Sequence, residues 1–584
     1  MTSDSNKTLV LLSMGFFVPQ MCLAATAPDV GQQFEQHKQQ ELQQRLPKPS
    51  VPVIEKELEA KPSVGEATVF VRAFRLEGTV TVFDEQRLLE ELDEVTNRDL
   101  TISQLRNAAA RLTRLYRQAG YLLARAILPP QDVTEGVITL RIVEGELDSA
   151  DGGVTISDPE SSMRLDPQRA LRIVKRAVPA GKPIKKADLE RGVLLVSDLP
   201  GIGATANLSP GAEPGTTHVT VDVIEGPLFA PQVGLDNAGS RLTGRWQLNA
   251  AVDVNDISGI GNQFTAYATH SFGSGGSDYL SLSYNQPIGY SGFKLGLDYR
   301  QLKYTVGKEF KSADMDGSAE SWLLHGSYPV VRTSKTSLFL HGGVEWKDLQ
   351  DSAAGIKTTD QDIRIATFGG FGSHLDNLGG GGITEGGVSL HLGDLDLSGL
   401  PSALAADQAL TGAHTHGDFQ KLRFNLSRIQ RATKDIFFVA ALRGQYAADN
   451  LATAEKFQLG GPTGVRAYPV GEGRGDDGVL LKLEGNYLAK SGTPFGDLRL
   501  VGFIDWGWVR QYHDPGNLSF QGPNSYNLKG WGLGLSAGKP GESDFSLTWA
   551  RRIGSNPNAD PVTGNDSDGS HDKQRVWASL RLQF

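Results

Sequence analysis

Beyond Leu228 the chain is a succession of segments in which apolar and polar residues alternate, separated by clusters of Gly, Asn, Asp, Ser and Pro. A period of two marks β-strands with one apolar and one wet face. In residues 576–584, Val576, Ala578, Leu580, Leu582 and Phe584 share one face, with Trp577, Ser579, Arg581 and Gln583 on the other. Leu340, Val344 and Trp346 lie opposite His341, Glu345 and Lys347; Val479, Leu481, Leu483 and Tyr487 lie opposite Lys482, Glu484 and Asn486. Charges within and large apolar groups without describe a barrel whose aqueous lumen is surrounded by lipid. A soluble sandwich would turn its charges outward and use strands of about five or six residues. About sixteen such segments follow Phe229, an even number as single-chain bacterial barrels require. With the first strand rising from the periplasm, the even-to-odd connections are short (256–261, 287–291, 332–334, 431–434) and several odd-to-even ones long (394–417, 449–478, 554–572). A run of glycines at 379–382 is the main irregularity among the expected turns.

Residues 68–226 follow a different rule, read twice. Residues 69–83 alternate as a strand, and two helical stretches follow. The second, near 101–120, has Thr101 as its N-cap and Leu105, Leu112, Leu115 and Tyr116 on its apolar face. Strands near 122–127 and 136–144 complete the unit. The second unit has a strand near 154–156, helices over 167–178 and 186–196, and strands near 204–208 and 217–224. Each reads β-α-α-β-β, a small α+β domain with helices on one sheet face. Its free sheet edge could accept an extended peptide by strand addition.

Further upstream, residues 29–46 are rich in Gln and Glu, with Val30, Phe34, Leu42 and Leu46 as a narrow helical stripe. Pro47, Pro49, Pro52 and Pro62 then interrupt any continuous helix. A solvated leader and a detachable helix on a tether are equally compatible with this stretch. Lys7, the apolar run 9–18 and Ala25-Thr26-Ala27 read as a secretory signal with its cleavage site. The sole cysteine, Cys22, lies inside that signal, leaving the mature chain without a disulfide or thiolate chemistry.

Composition narrows the function. A net charge of -10 argues against nucleic acid as a partner. Hydrophobic residues at 39% exclude a helical membrane protein, but not a barrel, whose alternating strands average out. No nucleophile elbow or phosphate loop is present, so no enzyme activity and no cofactor are expected. His414 and His416 lack further ligands nearby, so no metal site is expected. Arg474-Gly475-Asp476 reads as a chance tripeptide in a polar loop.

One loop and one strand carry a family resemblance. The stretch Gly460-Gly461-Pro462-Thr463-Gly464-Val465-Arg466-Ala467-Tyr468-Pro469, between predicted strands eleven and twelve, resembles the V-R-G-Y-P loop of the TpsB transporters of two-partner secretion. Phe503-Ile504-Asp505-Trp506-Gly507, on predicted strand thirteen, is similar to that family's F-x-D-x-G. Leu498, Leu500, Ile504, Trp506 and Trp508 share one face of that strand, which leaves Asp505 on the lumen side with Arg499. An inward-folding loop could bring an arginine to such a carboxylate in bidentate fashion. The resemblance implies that Arg466 and Asp505 form this lock, with Tyr468 and Pro469 packing the tip. Ala467 stands where the motif usually has glycine and would be strained if φ there were positive.

The resemblance covers almost the whole chain. It implies a signal (1–27), an N-terminal plug helix (28–47), a linker (48–67), two POTRA domains (68–147 and 148–226) and a sixteen-stranded antiparallel transmembrane barrel (227–584) containing the inward loop 449–478. Phe584 would serve as the C-terminal signal read by the barrel assembly machinery. The protein is then expected in the outer membrane, with its POTRA domains in the periplasm. It would bind a secreted TpsA-type exoprotein (a β-helical adhesin, haemolysin or toxin) and pass it outward unfolded, without nucleotide hydrolysis. The alternatives are an outer-membrane insertase and a passive diffusion porin.

Overall fold

The computed structural model describes residues 27–45, 68–78, 80–121, 123–148, 150–157 and 163–584. The expected signal, except Ala27, and the Pro-containing tether lie outside the described residues. Sixteen antiparallel strands close into a barrel, from Phe229–Asp236 to Gln574–Gln583, which pair with each other. The reason is local: Leu340, Val344 and Trp346 are exposed to the lipid side, while Glu345 and Lys347 are buried within. Leu483, Tyr487, Leu500, Ile504, Val576, Leu580 and Leu582 likewise face outward. The glycine run that looked irregular is a tight turn, Leu378–Gly380, between the eighth and ninth strands. There Gly379, Gly380 and Gly381 all take positive φ, which other residues rarely adopt.

Before the barrel come helix α1 (Val30–Arg45) and two α+β units. The first comprises β1 (Thr68–Val71), β2 (Ala73–Glu77), α2 (Glu85–Glu90), β3 (Arg98–Thr101), α3 (Ile102–Gln118), β4 (Arg125–Ile127) and β5 (Val137–Val143). The single strand expected over 69–83 is two strands, because the chain changes partner at Arg72. β1 pairs with β3, an element the sequence pattern did not disclose, whereas β2 runs parallel to the central β5. The amides of Arg72 and Ala73 both bond to the Gly136 carbonyl at that crossing. Thr101 caps α3 in a capping box with Gln104, so Thr101→Ala should cost about 1 kcal/mol of local stability. Hydrogen exchange of the α3 amides checks this; unchanged protection would refute it. Tyr116, at the base of α3, donates to the buried Glu144, and burial together with that carboxylate raises its phenol well above its ordinary pKa.

The second unit comprises β6 (Glu146–Leu147), β7 (Val154–Ser157), α4 (Pro167–Ala177), α5 (Lys186–Ser197), β8 (Ile202–Pro210) and β9 (Thr216–Glu225). Its sheet places β9 between β7 and β8, so among the described residues β7 and β8 present free edges. Helices α4 and α5 rest on the barrel's short turns. Arg332 forks onto Asp198 at 2.7 and 2.9 Å, and Arg191 donates to the Pro329 carbonyl at 2.8 Å. Arg169 reaches the carbonyls of Pro287 and Gly289. This unit therefore sits at the end of the barrel opposite the long loops.

Candidate functional site

The lumen is filled by two inserts, α1 and the loop between the eleventh strand (Ile436–Ala447) and the twelfth (Asp477–Thr493). The loop tip is built from turns that only its own backbone can supply. Val465 N donates to Leu459 O at 2.6 Å and Tyr468 N to Val465 O at 3.1 Å, while Gly461, Gly471 and Gly473 take positive φ. Ala467 is buried and is not among the positive-φ residues, so the strain feared for alanine there does not arise.

Arg466 reaches the thirteenth strand (Gly496–Arg510) from this tip. Its Nε donates to Asp505 Oδ2 at 2.9 Å and its Nη2 to Oδ1 at 2.7 Å, and its backbone N–H adds a third bond at 3.1 Å. Nη1 donates to a second carboxylate, Glu484 Oε1, at 2.7 Å. Phe503 lies under the guanidinium, 3.4 Å from carbon to ring centroid, and Trp577 Nε1 donates to the Arg466 carbonyl at 2.8 Å. Asp505 is 0% exposed, so this pairing is nearly shielded from water. The strand motif thus has three separate physical jobs. Phe503 supplies a flat support, Asp505 accepts the fork, and Gly507 leaves room, since a Cβ there would stand 2.5 Å from Leu459 Cδ2. Gly530 opposite is equally restricted, with a built Cβ 2.7 Å from that of Ala467. Gly507→Val should lift the tip at a cost of about 1–3 kcal/mol, read as a lower heat-unfolding temperature; an unchanged temperature would refute the seat. Arg499, expected on the same face, pairs with Asp497 at 3.6 Å and takes no part in the lock.

A second arginine works in the opposite direction. Arg552, on the fifteenth strand (Ser543–Arg552), lies over the Tyr468 ring at 4.6 Å and donates to the Ala467 carbonyl at 3.4 Å. Asp566, from the long loop before the last strand, holds Arg552 and Arg575, and Ser567 N donates to Glu472 Oε2 at 2.9 Å. Arg552 and its acid were absent from the sequence reading, because nothing in their spacing sets them apart from solvated loop charges. Pro469 follows Tyr468, and its carbonyl accepts from Glu472 N at 3.3 Å. Phe584 is exposed at the end of the last strand, its N–H bonded to Pro231 O. Arg474 and Asp476 are not a free surface tripeptide: they bond Asp29 at 2.9 Å and Lys456 at 2.6 Å. Among the described residues no cluster of metal-ligating side chains occurs, and His416 Nδ1 is bonded to Leu397 N.

Helix α1 lies in the remaining lumen. Tyr304, near the surface-side end of the fifth strand (Lys294–Thr305), bonds Pro28 O, so the helix begins toward the cell surface. Val30 and Phe34 are buried as the stripe suggested, but Leu42 is exposed, and the other buried side chains are polar: Gln32, Gln33, Glu35, Gln36, His37, Gln40 and Glu41. Thr243 donates to Gln33 at 2.8 Å; Tyr279 and Ser281 donate to Glu41 at 2.8 and 3.0 Å; Gln40 donates to Ala238 O at 2.9 Å. A chain of charges ties the helix to both the wall and the loop. Lys38 meets Glu345 at 2.7 Å, Lys347 meets Glu35 at 3.1 Å and Glu455 at 2.7 Å, and Glu455 also takes Lys421. One loop carboxylate, Glu455, is therefore bound to the seventh and tenth strands at once and shares Lys347 with the helix.

Residues 215–537, more than half of the chain, match the family described as haemolysin secretion/activation protein ShlB/FhaC/HecB. The chain belongs to this family. Residues 69–145 also match the ShlB-type POTRA domain. The transporter is similar over its whole length to the heme/hemopexin transporter protein HuxB of Haemophilus influenzae, at 26% identity over 98% of each chain. It is similar to the outer membrane transporter CdiB of Dickeya dadantii at 24% identity, over 73% of this chain and 75% of that one. Among solved structures, CdiB from Escherichia coli superposes with a TM-score of 0.73 at 21% identity, covering 96% of this chain and all of that one. CdiB from Acinetobacter baumannii gives 0.66 at 16% identity, with the same coverage. The fold is that of a TpsB transporter: POTRA-type units and an N-terminal helix ahead of a closed sixteen-stranded barrel. Such transporters reside in the outer membrane with their POTRA domains in the periplasm, and the family consists of transporters rather than enzymes.

Proposed function

We propose that this transporter takes one unfolded exoprotein from the periplasm and threads it outward through the barrel once α1 and the inward loop have yielded. The observation that carries this reading is the helix itself. A stopper bound to a wet lumen mainly through hydrogen bonds and ion pairs can exchange those bonds for water, whereas an apolar one would be held by hydrophobic burial. The POTRA units, the second of which stands against the short-turn end of the barrel, would recognise the partner at a free edge such as β7 or β8. Relatives named for haemolysin and heme/hemopexin transport favour a large secreted protein as that partner. Folding of the partner outside the cell supplies direction, since no nucleotide motif occurs in the chain. Insertion of the transporter itself falls to the barrel assembly machinery, with Phe584 as the recognised end.

Planar-bilayer conductance tests the stopper. Full-length protein should show brief, flickering openings, and a variant lacking residues 28–47 a steady open pore. Equal conductance by both would refute gating by α1 and would suit a passive porin instead.

A further inference from the structure

Alternation along the barrel strands sends the exposed large apolar side chains outward to lipid. In the body of the strands, away from hairpin tips and the bulge at Val330, one exposed residue breaks this rule. Phe371, on the eighth strand (Ile356–Asp376), is 44% exposed yet faces the lumen. Its side is fixed by register: it pairs with Phe339, which shares a face with Glu345 and Lys347, the side chains that hold α1. Its neighbour Phe368, by contrast, points outward and is 62% exposed.

Phe371 is not an isolated misfit. Its ring stacks on Phe339 with centroids 5.0 Å apart and planes 7° from parallel, and the His341 ring lies 5.7 Å away. The Nδ1 atom of His341 is buried without a hydrogen-bond partner. The stack stands three residues inside the Thr336–His374 pair, close to the periplasmic end of its strands. It opens on a cavity of about 260 Å³ under the second POTRA unit, lined by Ile173, Leu195, Leu199 and Pro329 together with the charged Arg169, Asp198 and Lys294. The seam between POTRA unit and barrel is therefore continuous with an aromatic platform inside the pore. Phe371 keeps this exposure beside α1, whose Glu41 is engaged with Tyr279, Ser281 and Arg300 on other strands.

We propose that the Phe339–Phe371 stack and its adjoining cavity receive apolar side chains of the extended partner polypeptide as it passes from the second POTRA unit into the pore. The inference rests on the secretion reading above. An extended chain destined to fold into β-structure presents apolar side chains at alternate positions, about 6.5–7 Å apart. A flat aromatic pair binds any of them without regard to sequence, and weakly enough to release the next. A polar wall would offer such side chains nothing, and a fully apolar one would stall them.

The test uses full-length protein in lipid nanodiscs and two fluorescein-labelled 20-residue peptides of equal charge. One alternates Ser with Val and Phe; the other alternates Ser with Thr and Gln. Fluorescence anisotropy should show the wild type binding the apolar peptide about tenfold more tightly than the polar one. Phe339→Ser combined with Phe371→Ser should abolish that preference, Phe371→Leu should keep part of it, and the outward Phe368→Ser should keep all of it. Heat-modifiable migration in gels verifies that each variant barrel is folded. An undiminished preference in the double serine variant overturns the proposal, as does an equal loss in Phe368→Ser. Normal export of the partner by the double serine variant would also overturn it while leaving the secretion reading intact. Peptide preference at this site without export of any exoprotein would instead count against the secretion reading alone.

Discussion

Arg466→Ala is expected to reach the outer membrane at normal abundance and to lose exoprotein export by roughly tenfold or more. Removing one partner of a buried ion pair costs about 3–5 kcal/mol, because the charge left behind has neither its partner nor water. Here Asp505, with no exposure, and the partly buried Glu484 would lose their hydrogen-bonded cation, with Lys482 remaining as a nearby positive charge. The barrel's strand pairing does not involve the loop tip, so the wall should persist while the tip leaves its seat. Arg466→Lys should recover little, since an ammonium cannot make the two parallel bonds to Asp505 and a third to Glu484. A cysteine placed at Thr463, in a mature chain expected to have no other, would report the movement by faster maleimide labelling. Wild-type export by Arg466→Ala at equal surface level would show the lock to be dispensable for transport.

Lys347→Ala should open the pore. Lys347 lies at 3.1 Å from Glu35, 3.7 Å from Glu345 and 2.7 Å from Glu455, and so neutralises carboxylates from the helix, the wall and the loop together. Without it Glu345 keeps Lys38 and Glu455 keeps Lys421, while Glu35 is left with a longer 3.9 Å contact to Lys38 and faces both acids; a like-charged pair at 5 Å costs about 3 kcal/mol at an effective dielectric of 20. Glu35 is the member that leaves with α1, because Glu345 is on the wall and Glu455, although a loop residue, is tied to the tenth strand by Lys421. Bilayer recordings should then show long-lived openings resembling those of the variant lacking residues 28–47. Lys347→Met combined with Glu35→Leu should close the pore again, as the helix regains an apolar contact in place of the charge. If Lys347→Ala flickers as the wild type does, the ionic chain does not hold the helix.

Much of this architecture is written locally. A strand in a lipid-facing barrel needs an apolar residue at every second position, and that requirement shows within ten residues, as in 479–487 and 576–584. Loop lengths carry the topology for a similar reason, since a turn between neighbouring antiparallel strands needs only a few residues. Arg466 and Asp505 were legible as a pair through motif resemblance, although they lie 39 residues apart. The first POTRA unit was less transparent. Nothing in the alternation of 69–83 marks the change of partner at Arg72, because both β1 and β2 satisfy the same pattern while pairing with different strands.

The mode of docking of α1 could not be read from its apolar stripe. Among its described members, Val30 and Phe34 behave as that stripe suggests and Leu42 does not; the buried Gln and Glu side chains would look solvated in any isolated helix. Period-two hydrophobicity, turn chemistry and the two motifs were thus determined by the sequence, because each depends on neighbours along the chain. Tertiary structure alone decided which lumen charges meet, how Arg552 and Asp566 back the loop tip, and where Phe371 faces water. Those partners come from different strands and loops, and a polar residue there is spelled the same as one dissolved in bulk solvent.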